Sequence, residues 1–550
     1  MKTFEDGYYI KGFNELNGMD EGKEQLLMEG LVMGIGEIEH YSEQVVLKCH
    51  NCKDDVTIRV DDFKDWRHFK TPDECPKCGG EYTLIQHDKG NIRRFLFGED
   101  KASNPIAITG FVFKDNVYDL RPGEKLRVNA LLHSVKNPKS ETYKRVLDIK
   151  QMTTTASKPL LPSEEELQVF KEMDKEKLID SFAPNIKGMR VIKEGLLISC
   201  LGGVNLNGQR GDVNVLLMGD PGVAKTQLLK FVASIIQKSD YTSGKSASQA
   251  GLMAGVDNLA DGTRIAKPGS VIMCNGGICC IDEFEKMNAS DRAGLHEVME
   301  NQTFSLRKIG INMTWEAKTT IFAAANPRSS KWDTTLSIKE NVNLMDSLLS
   351  RFGLIFLIRD IPNKEFDLEV ARHIRKVKQR TLETVLEPQM LTKFINYART
   401  INPIISDEVA ECIESYWIDL RCESQSKDSI LIDNRTLQDL YRIAESYARL
   451  DLSDTVTREH GNKAIKLLTD SLKSLGMSVP GQITESIMDH LDKPEYLAHL
   501  FKDGISEGSA IIDMVKHKQW YITEERAKRD IERLRKEGKI YDMGDKYKWV

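Results

Sequence analysis

Between residues 43 and 135 apolar and polar positions alternate in short runs: "EQVVLKC", "DVTIRV", "EYTLIQ", "NIRRFLFGE", "PIAITGFVF" and "EKLRVNALLHSV". Period-two alternation punctuated by turn residues predicts a small β-barrel. The pattern breaks at "TTTASKPLLPSEEELQ", residues 153–168, a polar, proline-marked linker. "EEELQVFKEMDKEKLIDSF" overlaps its end and has the spacing of an amphipathic helix. From there the pattern changes to buried strands alternating with helices. "VNVLLMG", "GGICCID", "TTIFAAANP" and "GLIF" are unbroken apolar runs of the kind a parallel sheet covers on both faces. "NQTFSLRKIGINMTWEAK" alternates as a hairpin with its tip near Lys308. The last 60 or so residues read as two amphipathic helices, "IIDMVKHKQW" and "TEERAKRDIERLRKEGK", then a strand-turn-strand, "IYDMGDKYKWV". That is the pattern of a winged helix.

Length and composition refine this picture. A chain of 550 residues exceeds one core, and ~150 residues per domain gives three or four domains. The 40% hydrophobic and 29% charged content is that of a soluble globular protein. No apolar run is long enough to cross a bilayer, and the start "MKTFEDGYYIKGFNEL" lacks a signal-peptide pattern. The formal net charge of -6 gives no global attraction for a polyanion, so nucleic-acid contact must use local basic patches. One such patch is "VKNPKSETYKR", a candidate hairpin with Lys136, Lys139, Lys144 and Arg145, which reads equally as a solvated loop.

Ten cysteines without an export signal imply reduced thiols and metal use for clustered ones. Cys49 and Cys52 in "CHNC", and Cys75 and Cys78 in "CPKC", form two knuckles whose thiolates can close one tetrahedral Zn²⁺ site. Four sulfurs make that site structural, so His50 and His68 are left as surface residues.

"GDPGVAKT" places a glycine loop between a strand and a helix, the order a phosphate cradle needs. Backbone N–H groups from Gly219 through Asp220, Pro221, Gly222, Val223, Ala224, Lys225 and Thr226 to Gln227 would face the phosphates, proline excepted. Lys225 would neutralise β/γ charge and Thr226 would hold Mg²⁺. Ala224 stands where glycine is usual, at the start of the helix, where an ordinary helical φ would admit its Cβ. Asp282 and Glu283 end a buried strand, as a Mg²⁺ ligand and a water-activating base would. Asn326 at the next strand tip could orient the water. Arg351 has no evident use within one protomer but could reach a neighbour's γ-phosphate.

With "GGICCIDEFEKM", "DRAGLHEVMENQTFSLRKIGI", "AAANP" and "LLSRFGLIFLIRD", these residues resemble the minichromosome maintenance (MCM) family of AAA+ replicative helicases. The resemblance implies an α/β multidomain fold. An oligonucleotide-binding (OB) barrel occupies 1–152 with a zinc module at about 45–85. An AAA+ P-loop ATPase core occupies 169–475, its helical lid at about 385–475, and a winged helix 476–550. It implies Walker A at Lys225 and Thr226, Walker B at Asp282 and Glu283, sensor 1 at Asn326 and an arginine finger at Arg351. The sensor 2 arginine is then Arg435 or, as second choice, Arg442. "SASQAGLMAGVDNLADGTRIAKPGS" falls at the family's helix-2 insertion, and the Lys308 hairpin at its channel-facing hairpin.

The implied cofactors are ATP, Mg²⁺ and Zn²⁺. The implied partners are single- and double-stranded DNA, replication-fork proteins and further copies in a homohexamer, single or double, with no membrane. The setting would be cytoplasmic and nucleoid-associated in an archaeal cell, or nuclear in a eukaryotic one. Two departures stand out. Gly353 replaces the aspartate usual after S-R-F, and about 48 residues before the knuckles leave a shortened or absent N-terminal helical subdomain. A protein-remodelling AAA+ ATPase, or an ATP-binding DNA platform without unwinding, are the alternative readings.

Overall fold

The computed structural model describes residues 8–477 apart from short stretches, and scattered positions from 506 to 549. The undescribed stretches are 11–12, 20–24, 61–69, 71, 100–105, 137–140, 156–158, 206–207, 246–248, 259–263, 309–310, 330, 334–335, 337, 343, 382–385 and 424–431. The chain divides into two compact units, Met1–Trp417 with Lys427–Ser471, and Ile418–Ser426 with Leu472–Val550.

The first unit begins with a short strand β1 (Tyr8–Ile10), parallel to the long β2 (Gln25–Cys49). β2 pairs with β4 (Tyr82–Gly98), β4 with β5 (Ala107–Phe113), β5 in parallel with β7 (Tyr143–Thr154), β7 with β6 (Lys125–Lys136), and β6 returns to β2. The strands therefore close on themselves, which is the five-stranded barrel that the alternation predicts, in the OB arrangement. Inward positions of β2, β4 and β6 supply Met28, Val32, Phe95, Phe97, Val128 and Leu132 to one apolar core. The runs "EYTLIQ" and "NIRRFLFGE" are one continuous strand, β4, rather than two. The first half of β2, and β7, were not among the predicted strands. The module carrying the two cysteine knuckles interrupts the barrel between β2 and β4, with β3 (Asp55–Arg59) folded back on β2.

The region after the linker is built on a parallel sheet of β8 (Val215–Gly219), β9 (Ser239–Ser243), β12 (Ile278–Asp282), β15 (Thr320–Ala325) and β16 (Leu354–Ile358). Its order, β16-β8-β15-β12-β9, puts β8 inside the sheet, between β16 and β15. β8, β12 and β15 are buried along their whole length, as their unbroken apolar runs require. Cys279 and Cys280 are small buried members of β12. Two hairpins project from this core: β10 (Ala254–Asn258) with β11 (Arg264–Pro268), and β13 (Thr303–Lys308) with β14 (Ile311–Glu316). Helices Pro388–Ala398, Asn434–Leu450 and Arg458–Ser474 belong to the lid.

The β10–β11 hairpin lies within "SASQAGLMAGVDNLADGTRIAKPGS", and its strand β11 adds to the barrel at Ala266↔Ile35. β6 pairs with β2 only as far as Leu31, which leaves that edge of β2 open at Ile35 for this second partner, while β4 stays paired with Ile35 through Phe95. Gly34 allows the approach, because a Cβ there would lie 2.9 Å from Ile265 Cγ2 and 3.0 Å from the Ala266 carbonyl oxygen. In the second unit, Ile540–Asp542 and Tyr547–Trp549 form an antiparallel hairpin at the place expected for a wing. Most of the two preceding helices lies outside the described residues.

Gly34→Val should force β11 off β2. Amide hydrogen exchange at 264–268 is expected to accelerate, with stability lowered by about 1–3 kcal/mol from overpacking. Unchanged exchange there would show that the β2–β11 junction is not a specific contact.

Candidate functional site

Gly219 ends β8 with φ +143°, and a Cβ on it would lie 1.9 Å from the carbonyl oxygen of Ile358. Only glycine fits, so the loop is pressed against the end of β16. Asp220 fixes the next step. Its amide donates to that same Ile358 oxygen at 3.1 Å. Its carboxylate accepts from the amides of Trp332 at 2.7 Å and Asp360 at 2.9 Å. Pro221 and Gly222 are exposed, and Val223 is half-buried.

Ala224 is not helical. It caps the helix Lys225–Ile235 in the left-handed region, φ +62° and ψ +13°, with its carbonyl accepting from Gln227 and Leu228. The expectation of an ordinary helical φ is therefore wrong. Gly222, φ +86°, and Ala224 reverse the backbone in turn, which brings successive N–H groups to one side as an anion-binding concavity. A left-handed alanine costs about 1–2 kcal/mol, held by the surrounding loop.

Lys225 is buried, and its Nζ donates to the carbonyls of Gly219 and Asp220, both at 2.7 Å. Burial pushes its pKa below the ordinary lysine value, while the charges of Asp282, Glu285 and Asp220 oppose the fall. Thr226 Oγ1 donates to Asp282 Oδ2 at 2.6 Å, so the two residues assigned to Mg²⁺ converge. Asp282 also accepts from Tyr241 at 2.9 Å. Burial first, and that bond next, raise Tyr241 to about 12, which keeps it a donor. A hydroxyl and a carboxylate at the mouth of a glycine loop are a donor set that suits Mg²⁺ beside a polyphosphate.

Glu283 is also left-handed, φ +50°. Its carboxylate accepts from Ser243 at 3.0 Å and from Lys286, whose hydrogen bond holds it below the usual carboxylate range. It is thus ionised at neutral pH, as a base must be. Asn326 donates to Glu285 from its backbone at 3.1 Å and from Nδ2 at 3.3 Å. Sequence reasoning passed over Tyr241, Ser243, Glu285 and Lys286, although the last two stand within "IDEFEKM".

Arg351 and Arg435 are brought together elsewhere. Both reach Glu300: Arg351 Nη2 at 2.9 Å and Arg435 at 3.6 Å. Arg351 Nη2 also meets His296 Nε2 at 2.9 Å. Arg442, the second choice for sensor 2, is tied into the fold instead, to Asp439 at 2.6 Å and the Arg210 carbonyl at 2.7 Å. Asp439 also explains Gly353. A Cβ at 353 would lie 2.9 Å from the Asp439 carboxyl carbon, so that carboxylate fills the place where a side chain at 353 would start.

The four knuckle sulfurs lie within 4.8 Å of one another, with Cys49–Cys78 at 3.4 Å and Cys52–Cys75 at 3.8 Å. A tetrahedral Zn²⁺ with bonds of about 2.3 Å spaces its sulfurs about 3.8 Å apart. Lys53 and Gly79 supply left-handed turns after each knuckle, and the backbone N–H of Lys77 leads in pulling the Cys75 thiol down to about 6. His50 is exposed, and His68 lies outside the described residues. Lys308 is exposed at the end of β13, its tip partners 309–310 undescribed. Of the basic barrel hairpin, Lys136 and Lys144 are exposed, Lys136 pairs with Glu141 at 2.9 Å, and Lys139 lies outside the described residues.

The family model "MCM P-loop domain" matches residues 164–378, and "MCM AAA-lid domain" matches 389–472. The chain is 35% identical over 428 residues to DNA replication licensing factor MCM4 of Arabidopsis thaliana, covering 72% of this chain and 50% of that protein. It is 37% identical to licensing factor mcm7-B of Xenopus laevis over 70% of this chain and 55% of that one. It is 33% identical to minichromosome maintenance protein MCM of Saccharolobus solfataricus over 75% of this chain and 64% of that one. The chain thus spans between half and two thirds of these relatives' lengths.

Two outcomes follow. Cys52→Ser should cut bound zinc, counted by metal analysis of the purified protein, from one ion per chain towards none. Gly353→Asp should cost about 1–3 kcal/mol by thermal unfolding, and Asp439→Ala in the same chain should restore part of it. Additive losses would break the Gly353–Asp439 account.

Proposed function

The chain belongs to the minichromosome maintenance family, and on that footing we propose that it is an ATP-dependent DNA helicase working as a ring of identical subunits, six in number. The observation that supports this most is the separation of two functional clusters within one protomer. The phosphate loop with Thr226 and Asp282 lies at the C-terminal ends of β8 and β12. Arg351 lies before the N-terminal end of β16, the strand paired with β8. Two clusters at opposite ends of one strand pair make complete sites only between neighbouring copies.

In this reading the loop amides and Lys225 hold the triphosphate of ATP. Thr226 and Asp282 would hold Mg²⁺, which supplies charge neutralisation between the β- and γ-phosphates. Glu283, ionised, takes the proton of the attacking water as it leaves its hydrogen bonds to Ser243 and Lys286. Asn326 orients that water from the strand tip. The neighbour's Arg351 and Arg435 stabilise charge developing on the γ-phosphoryl oxygens. The adjoining helix Ala289–Asn301 leads straight into β13, so movement at the site reaches Lys308 and Arg307, both exposed near the hairpin end. Contacts of these cations, and of the barrel's Lys136, Lys139 and Lys144, are to backbone phosphates and carry no sequence preference.

No described helix is long and apolar enough to cross a membrane. The protein works where DNA is, nucleoid-associated in an archaeal host or nuclear in a eukaryotic one.

Lys225→Ala should abolish DNA-stimulated ATP turnover, measured as phosphate release. Lys308→Ala should retain ATP hydrolysis and lose fork unwinding by at least about tenfold. Wild-type turnover in the first would overturn the ATPase assignment. Loss of both activities in the second would make the hairpin structural.

A further inference from the structure

His296 and Glu300 stand four residues apart on one face of the helix Ala289–Asn301. Together they grip the same nitrogen of Arg351, Nη2, each at 2.9 Å. Arg351 is 8% exposed, and its Nε is buried without a partner. The guanidinium is therefore held by two bonds at its single nitrogen Nη2. Glu300 also draws in Arg435 at 3.6 Å, and its backbone carbonyl accepts from Arg210 at 3.0 Å. Arg210 has its own carboxylate, Asp212, at 3.0 Å. What remains is one carboxylate shared by two arginines, a pair of net positive charge. Arg351's charge holds Glu300 below the usual carboxylate range, and burial lowers His296, so the histidine accepts as a neutral ring.

The same helix is the root of the β13–β14 hairpin. Gln302 turns left-handed at φ +54° directly after it, β13 starts at Thr303, and Glu297 accepts from the Ser305 amide at 3.2 Å. Any displacement of the hairpin root is a displacement of Glu300.

We propose that Glu300, assisted by His296, is a positioning residue that sets Arg351 and Arg435 towards the neighbouring subunit's γ-phosphate and ties their placement to the DNA-contacting hairpin. It touches no substrate and acts through the two arginines. The proposal rests on the shared-site reading above.

The test uses the full-length chain as Glu300→Gln and Glu300→Ala, with ATP turnover measured with and without single-stranded DNA. The nucleotide is bound by the other subunit's loop. Glu300→Ala should therefore lower kcat by roughly tenfold or more, leave KM for ATP within about twofold, and lose most of the DNA stimulation. Glu300→Gln keeps an acceptor of the same shape and should lie between the two, which keeps the test open if the alanine variant folds poorly. Mixed with Lys225→Ala protein, either variant should recover turnover above the sum of the separate proteins, because the two fail on opposite sides of the interface. A kcat equal to wild type, a KM rising in step with a falling kcat, or no recovery on mixing would overturn the role of Glu300. Turnover retained by Lys225→Ala alone would instead overturn the ATPase reading beneath it.

Discussion

The pairing of β8 with β16 is the constraint from which the rest of the ATPase region follows. Its register runs from Val215↔Leu354 to Gly219↔Ile358. At one end, the absence of a side chain on Gly219 lets the phosphate loop close against the Ile358 carbonyl. At the other, Asn214 donates to the Arg351 carbonyl at 3.0 Å and accepts from the Ile321 amide at 2.8 Å, which pins the start of β16 to β8 and β15 together. Five paired residues at ~3.3 Å each hold the loop and the arginine about 13 Å apart along the strands. No side-chain rotation brings Arg351 round to its own protomer's loop. In the proposed ring, a sheet that fixes the loop so firmly leaves this arginine to the neighbouring subunit.

Around this pair, two elements carry position outward. Helix Ala289–Asn301 joins the Arg351 cluster to the β13–β14 hairpin. The β10–β11 hairpin joins the ATPase region to the barrel by adding one residue pair to β2. Both are direct backbone connections between these elements. The four-cysteine cluster lies at the far end of β2, where Cys49 both closes the strand and belongs to the cluster.

Much of this architecture is legible in the chain. The apolar runs of β8, β12, β15 and β16 and the alternation of β4 to β6 are strong because burial on two faces, or on one, leaves different periods. The opening half of β2 is less so. Gly30, Gly34 and Gly36 interrupt its alternation and look like turn residues, whereas Gly34 is there to admit β11. Ala224 misleads for a related reason. Its left-handed φ is imposed by the loop's need to turn its amides inward, and nothing in a residue's own preference reveals that. Gly353 is explained only once Asp439, 86 positions along the chain, is seen to occupy its side-chain space. Likewise, that Arg435 faces Glu300 while Arg442 pairs with Asp439 depends on contacts between separate elements that the linear sequence does not display.

In the proposed ring, each ATP site is assembled from two subunits. Mixing Lys225→Ala protein with Arg351→Ala protein, each alone without turnover, tests it most directly. At equal ratio, random assembly pairs an intact loop with an intact arginine at roughly a quarter of the interfaces. ATP hydrolysis should therefore reappear on mixing, at a sizeable fraction of the wild-type rate. A mixture as inactive as its two components would contradict the account, placing Arg351 in the service of its own subunit's loop.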